Sequence, residues 1–276
     1  MRIAPSAMPK AATPALAPPR QKGAPRGGAA AIVLRGVVTI AIIGLAWEAV
    51  VTAAGIQPYY LPRLSAILAA IVALPDAYLA GFLRTLSETL LGYAAGALVG
   101  VANGVLFHRS RLLRETIFPL FVISQTIPVI AFGAVVVLWF GNTILAKALI
   151  AFYLTFFPVT VNTLNGLEAV DRRQVDLLRS FGATSRQLLF RLLLPSALPQ
   201  IFVALRLACT LSLLGAIAGE WFGDTTGLGV LLLQAMYNEQ FVALWAAILM
   251  AGLLGTSFYG LVAWVEHKAV FWRSEL

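Results

Sequence analysis

Six stretches of this 276-residue chain are apolar enough and long enough to cross a bilayer: roughly 36–55, 84–107, 118–140, 145–166, 200–219 and 241–265. A helix rises about 1.5 Å per residue, so roughly 20 apolar residues cover the hydrocarbon layer. Within that layer every backbone N–H and C=O must be satisfied inside the protein, which leaves helices or a closed barrel. Runs of this length select helices. The expected fold class is therefore all-α, a polytopic membrane helix bundle of about six transmembrane helices. Only 12% of the residues are charged, about half the share of a soluble domain. The segment "LPRLSAILAAIVALP" (61–75) is held between Pro62 and Pro75. It is short for a span and reads as an external or interfacial helix.

The net charge is +8. In a soluble protein this would suggest nucleic acid; here the basic residues fall between the apolar runs, so topology explains them. With the N-terminus inside, 16 of the 20 Lys and Arg lie on one side, in the N-terminal region, loop 108–116, loop 167–199 and the C-terminal tail. That asymmetry gives an N-in, C-in orientation. Residues 1–34 hold six prolines, many alanines and four basic residues after Arg2, with no hydrophobic period. They read as a disordered basic cytoplasmic tail, ahead of a membrane domain over 35–276. A cleaved leader with its apolar region at 37–51 is the alternative; the length of the run favours an uncleaved first helix.

Gly92, Gly96, Gly100 and Gly104 recur every fourth residue along the second span. Small residues at this spacing admit a neighbouring helix at close range, within the bundle or in a dimer. Glu48 stands in the first span and Glu88 one turn into the second, while Lys147 is placed to snorkel from the fourth. None suggests a relay of paired acids and bases. Glu220, at the end of the fifth span, faces a polar cavity or marks the interface. Ser124, Gln125 and Thr126 precede Pro128 in the third span, and Thr160, Asn162 and Thr163 lie in the fourth. These polar groups line a pathway or bond between helices. Cys209 is the single cysteine, and His108 and His267 sit at ends of apolar segments. The chain has no phosphate loop, metal-spaced histidines or nucleophile elbow. The expectation is no catalytic residue, no metal and no cofactor on this chain. "GLG" at 227–229 reads as a relaxed link between external segments.

The longest polar interruption, 167–199, is itself patterned. Asp171 is placed to cap a short helix running to about Phe181, and Gly182 to end it in the left-handed conformation. Thr184 or Ser185 starts a second helix to about Leu194, with Pro195 and Pro199 opening the fifth span. Val175, Leu178 and Phe181 share one helical face, as do Leu188, Leu189 and Leu192. Two short helices bent at a glycine make a compact knob. It either lies on the bilayer with arginines at the headgroups or docks a protein.

The stretch "DLLRSFGATSRQLLFRLLLP" (176–195) resembles the EAA loop of ABC-transporter permease subunits, E-A-A-x-x-x-G, nine residues, then I-x-L-P. Asp176, Leu177 and Leu178 stand for Glu-Ala-Ala, Gly182 and Ala183 follow, and Leu192, Leu194 and Pro195 close the motif. With "GEWFG…GLGVLL" and "SQTIPVIAFGAVVVLWFG", residues 40–270 resemble the nitrate, sulfonate/taurine and bicarbonate branch of binding-protein-dependent importers. The resemblance implies a MetI-like type I importer permease of the bacterial inner membrane. It implies a second permease subunit, in a homodimer, and two cytoplasmic ATPases that carry ATP and Mg²⁺ and dock on the loop. A periplasmic or lipid-anchored solute-binding protein would deliver a small anion or an aromatic, pyrimidine-type compound. Candidate pathway residues are Ser124, Gln125, Thr126, Pro128 and Glu220. Two rivals make different demands: a secondary transporter needs paired intramembrane charges, and a membrane scaffold needs no polar lining.

Overall fold

The computed structural model describes residues 29–272, with side chains from residue 34; most of the expected N-terminal tail lies outside them. The chain divides into two units, up to Ala46 and from Trp47 onward. The first holds the start of helix α1 (Ala29–Ala53), which begins inside the stretch read as tail. Everything below concerns the second unit.

Its described residues form α2 (Leu64–Ala73), α3 (Pro75–Arg109), α4 (Arg111–Ser124), α5 (Val129–Phe140), α6 (Ile144–Glu168) and α7 (Arg172–Ser180). Then come α8 (Ser185–Leu188), a π-helical turn Leu189–Leu193, α9 (Leu194–Glu220), α10 (Leu228–Tyr237) and α11 (Phe241–Ala269). No strand occurs among the described residues. Among the described residues of the whole chain, α1 included, five helices are long and apolar enough to cross a membrane by themselves, six if the α4–α5 pair counts as one.

The expected straight span 118–140 is not straight: α4 and α5 meet at 96°. Pro128 has no N–H to continue a helix and disfavours the helical conformation at Ile127. Carbonyls at the end of α4 keep backbone partners, Phe121 from the Gln125 N–H at 3.3 Å and Ile123 from the Thr126 N–H at 3.0 Å, and gain side-chain donors. Ser124 Oγ donates to the Phe121 carbonyl at 2.7 Å and Thr126 Oγ1 to that of Ile123 at 2.8 Å.

The core is the trio α3, α6 and α9. The glycine stripe of α3 lies on α6. A methyl built on Gly96 would stand 2.6 Å from Thr155 Cβ, one on Gly100 2.7 Å from Val159 Cβ, and one on Gly104 2.5 Å from Thr163 Cβ. Gly215 of α9 meets the Ala151 backbone from the other side of α6 in the same way. Without these side chains the three backbones approach closely enough for dispersion contacts to replace the missing hydrophobic drive inside lipid. Asn162 of α6 accepts from Gln200 of α9 at 2.9 Å, so this polar group of the fourth span bonds between helices.

The polar loop is shorter than expected. Only 169–171 and 181–184 are non-helical within 167–199, and Ser185–Glu220 is one continuous helix. Its second short helix is thus the root of the fifth span, and the prolines sit inside that span instead of opening it. Pro195 explains the π turn. Its ring would clash with the carbonyl four residues back, and widening the preceding turn relieves the clash.

Candidate functional site

Three places bring the candidate residues together. At the first, α7 stands off the bundle. Asp171 Oδ1 accepts from the Arg173 N–H at 2.9 Å and starts the helix. At its end the Gly182 N–H bonds to the Arg179 carbonyl at 2.9 Å and the Ala183 N–H to that of Leu178 at 3.0 Å. With Gly182 at φ +79° this is a Schellman close, which favours glycine. Thr184 and Gln187 then exchange side-chain and backbone bonds at 2.8 and 3.3 Å, a capping box that starts α8. Asp176 is exposed. Leu177 and Phe181 are 57% and 79% exposed, while Val175 and Leu178 are half-buried. The expected stripe Val175–Leu178–Phe181 is therefore divided, and Leu177 with Phe181 forms the bare apolar edge. Leu192, Leu194 and Pro195 lie apart from α7, half-buried at the root of α9, and Leu194 packs on Leu167, Leu189 and Ile201. A cavity of about 1000 Å³ separates α7 from the ends of α3 and α6; Arg109, Glu168, Arg172, Asp176 and Arg179 are among its lining.

The second place is the α4–α5 break. The Ser124 carbonyl accepts from the Tyr153 hydroxyl, and Phe132 stacks on Tyr153 at 4.1 Å between centroids. The Gln125 amide nitrogen is buried and has no hydrogen-bond partner among the described residues. Thr126 and Pro128 are exposed. The sequence carries no Asp, Glu, Lys, Arg or His between Glu115 and Lys147, so the break offers only neutral polar groups.

At the third, Glu220 joins neither the break nor an open interface. Its side chain is buried at the opposite end of the bundle from α7. Oε1 accepts from the Thr85 hydroxyl at 2.5 Å and Oε2 from the Gly229 N–H at 2.5 Å. Thr85 Oγ1 in turn accepts from the Leu228 N–H at 2.9 Å. Two orphan donors of the first turn of α10 are thus satisfied by a carboxylate and a hydroxyl from α9 and α3.

The neighbouring charges are paired. Arg84 Nε bonds to Glu88 Oε1 at 2.7 Å and its Nη2 reaches Asp224 Oδ2 at 3.4 Å. Lys147 does not snorkel: it is buried, 2.8 Å from Asp224 Oδ2 and 3.0 Å from Asn142 Oδ1. Burial pushes the Asp224 carboxyl up, but the Lys147 ammonium, the Thr225 N–H and Arg84 outweigh it and hold the group below its ordinary 3.8. Paired charges, which the sequence did not suggest, are therefore present as one structural cluster. Glu48 plays a matching part, accepting from the Ser65 N–H at 3.2 Å and hydroxyl at 2.7 Å at the start of α2. Sequence reasoning missed Arg84, Thr85 and Asp224. The available signal was a glutamate seven and nine residues ahead of paired glycines, which now reads as a carboxylate and its cradle.

Residues 92–270 match the family of binding-protein-dependent transport system inner membrane components. The formylaminopyrimidine transport permease protein ThiX of Halalkalibacterium halodurans is 36% identical over 220 residues, covering 79% of this chain and 88% of that one. The riboflavin transport system permease protein RibX of Chloroflexus aurantiacus is 29% identical over 86% of this chain and 89% of its own. The taurine transport system permease protein TauC of Escherichia coli is 27% identical over 71% and 74%. Among solved structures, the MetNI methionine ABC transporter in an inward-facing conformation matches with a TM-score of 0.62 and 21% identity, over 71% of this chain and 98% of the other. The helix order and packing described above are those of that MetI-like fold.

Proposed function

This chain belongs to the family of binding-protein-dependent transport system inner membrane components, and from that premise we propose that it carries a neutral, pyrimidine-type heterocycle. It is a multi-pass permease subunit of an ABC importer in the bacterial inner membrane, and in this family ATP hydrolysis lies on a separate subunit. The observation that carries the solute proposal is the uncharged α4–α5 break. A nitrate or sulfonate needs a cation or several aligned donors to leave water. A heterocycle needs apolar walls and a few neutral hydrogen-bonding groups, which Gln125, Ser124 and Thr126 beside Phe132 and Tyr153 supply. The formylaminopyrimidine permease at 36% identity supports the same choice.

The proposed assembly has two copies of this chain, two ATPases carrying ATP and Mg²⁺, and a solute-binding protein on the far side. The chain itself binds no nucleotide. The orientation is N-in, C-in, which puts α7 in the cytoplasm and α10 at the outer end. Leu177 and Phe181 form the apolar edge offered to the ATPase, with Asp176 beside them. Gly182 sets the bend of that handle, and ATP-driven closure of the two ATPases rocks the two core bundles against each other.

Cells with and without the chain, together with its ATPase and binding protein, are compared for ATP-dependent uptake of labelled formylaminopyrimidine, riboflavin, taurine and nitrate. The expected result is saturable uptake of the pyrimidine, lost in Gln125→Leu. Uptake of taurine or nitrate alone would overturn the neutral-solute proposal.

A further inference from the structure

The function proposed above makes no use of the run from Gly219 to Gly229, yet the geometry of that run is tightly specified. A methyl on Gly227 would stand 2.5 Å from both Glu220 carboxylate oxygens, and one on Gly229 2.7 Å from Oε2. Gly227 also sits at φ +156°. Glu220 therefore fits because two glycines leave room for it. The carboxylate accepts from α10 on one oxygen and, through Thr85, from α3 on the other. Asp224 bridges Arg84 of α3 and Lys147 of α6, while Asn142 Nδ2 donates to the Gly223 carbonyl at 2.7 Å. The link between α9 and α10 is thus tied to the core helices α3 and α6 through Asp224, and to the α5–α6 turn through Asn142. By contrast α4 has no buried residue and is broken from α5 by 96°.

We propose that Glu220 is a positioning residue of the transport cycle: its carboxylate clamps α10 to α3 and α9, so that this end of the subunit keeps one internal geometry in every nucleotide state. The proposal rests on the chain's being driven by a separate ATPase. Motion delivered through α7 then falls on the α4–α5 break and on contacts between subunits. A buried, hydrogen-bonded carboxylate suits such a clamp, because opening it strands the Thr85 hydroxyl and the Gly229 N–H away from water.

Hydrogen exchange tests the clamp in the permease–ATPase complex held in lipid nanodiscs, without nucleotide and with ATP plus orthovanadate. Peptides covering 221–232 should exchange equally slowly in both states. Glu220→Ala and Thr85→Val should speed that exchange by about tenfold or more, the loss expected for a broken buried bond. Glu220→Gln keeps an acceptor for the Gly229 N–H and should stay near wild type. ATP hydrolysis per assembled complex, without solute, should change about threefold or more in Glu220→Ala and not in Glu220→Gln. A purely folding role lowers the yield of complex and leaves that specific rate unchanged. Faster exchange of 221–232 in one nucleotide state of the wild-type complex overturns the clamp, even where Glu220→Ala does not assemble. So does wild-type exchange and hydrolysis in Glu220→Ala. Failure of the wild-type chain to bind any ATPase overturns the importer reading instead, and the exchange of Glu220→Ala in the isolated chain still decides whether the clamp exists.

Discussion

Replacing Gly96 by alanine should destabilise the subunit even though alanine is the better helix former. At an unobstructed helix position the exchange gains about 0.5–1 kcal/mol. On Gly96 the added methyl would lie 2.6 Å from Thr155 Cβ and Cγ2 and 3.2 Å from the Phe152 carbonyl oxygen. Carbon atoms settle at about 3.5–4.0 Å, so α3 must retreat from α6 by about 1 Å. Thr155 Cβ is fixed to its backbone and cannot swing aside. Overpacking of this kind costs about 1–3 kcal/mol, which leaves a net loss centred on about 1 kcal/mol, and up to about 2.5 kcal/mol, after the gain in propensity. Gly252→Ala, on α11, is the control, since a methyl there meets nothing within 4 Å; it should stabilise by up to about 1 kcal/mol. Thr155→Gly removes both atoms at 2.6 Å and should restore most of the loss when combined with Gly96→Ala. The measurement is the thermal unfolding midpoint of the purified subunit in detergent, arranged as a double-mutant cycle, with a coupling of about 1–2 kcal/mol expected between the two sites. A Gly96→Ala midpoint at or above wild type would refute the close α3–α6 seam, as would a coupling of zero.

The other expectations concern the handle and the charge cluster. Gly182→Val has room for its side chain but forces a β-branched residue to φ +79°. It should leave the bundle's midpoint within about 1–2 kcal/mol, the local strain alone, while copurification of the ATPase falls severalfold. Normal recovery of the ATPase would separate α7 from docking. Lys147→Met leaves the Asp224 carboxylate with only the longer Arg84 contact at 3.4 Å and should lose about 1–3 kcal/mol, partly recovered by Asp224→Asn. An unchanged midpoint would show that the pair does not form. Asp224 also gives the stability a sign against pH. Its folded-state carboxyl is held below the ordinary 3.8, so its contribution is complete above that value and is lost as the pH falls through the folded one. The midpoint should decline as the pH falls below about 4, less steeply in Lys147→Met. A decline of equal slope in both proteins would contradict the assignment.

Hydrophobic length alone placed the spans, because backbone satisfaction in lipid leaves no other solution for such runs. Glycine at every fourth residue placed the α3 seam for the same kind of reason: nothing else admits that approach. The loop was legible down to its caps, since Asp171, Gly182 and Thr184 each act on their own neighbours. What escaped depends on partners distant in the chain. Lys147 looked like a snorkelling residue because Asp224 lies far along the sequence from it. Thr85 gave no sign that it would meet Glu220, and "GLG" seemed slack until the carboxylate it houses was in place. The α4–α5 bend was half legible: Pro128 announced an interruption, but apolar length across 118–140 outvoted it.

The π turn at Leu189–Leu193 has a consequence for how the root of the fifth span tolerates a change in length. Each residue of an α-helix advances the side chains by about 100°, and a π turn carries about one residue more than the α turn it replaces. The turn therefore takes up one extra residue while α8 and α9 stay nearly in phase across it. Deleting one residue there would return the helix to plain α geometry and leave α8 facing nearly as before, whereas a deletion in the plain α stretch beyond it would turn everything on one side by about 100°. The widened turn is thus a slot at which the root of the fifth span tolerates a one-residue change in length.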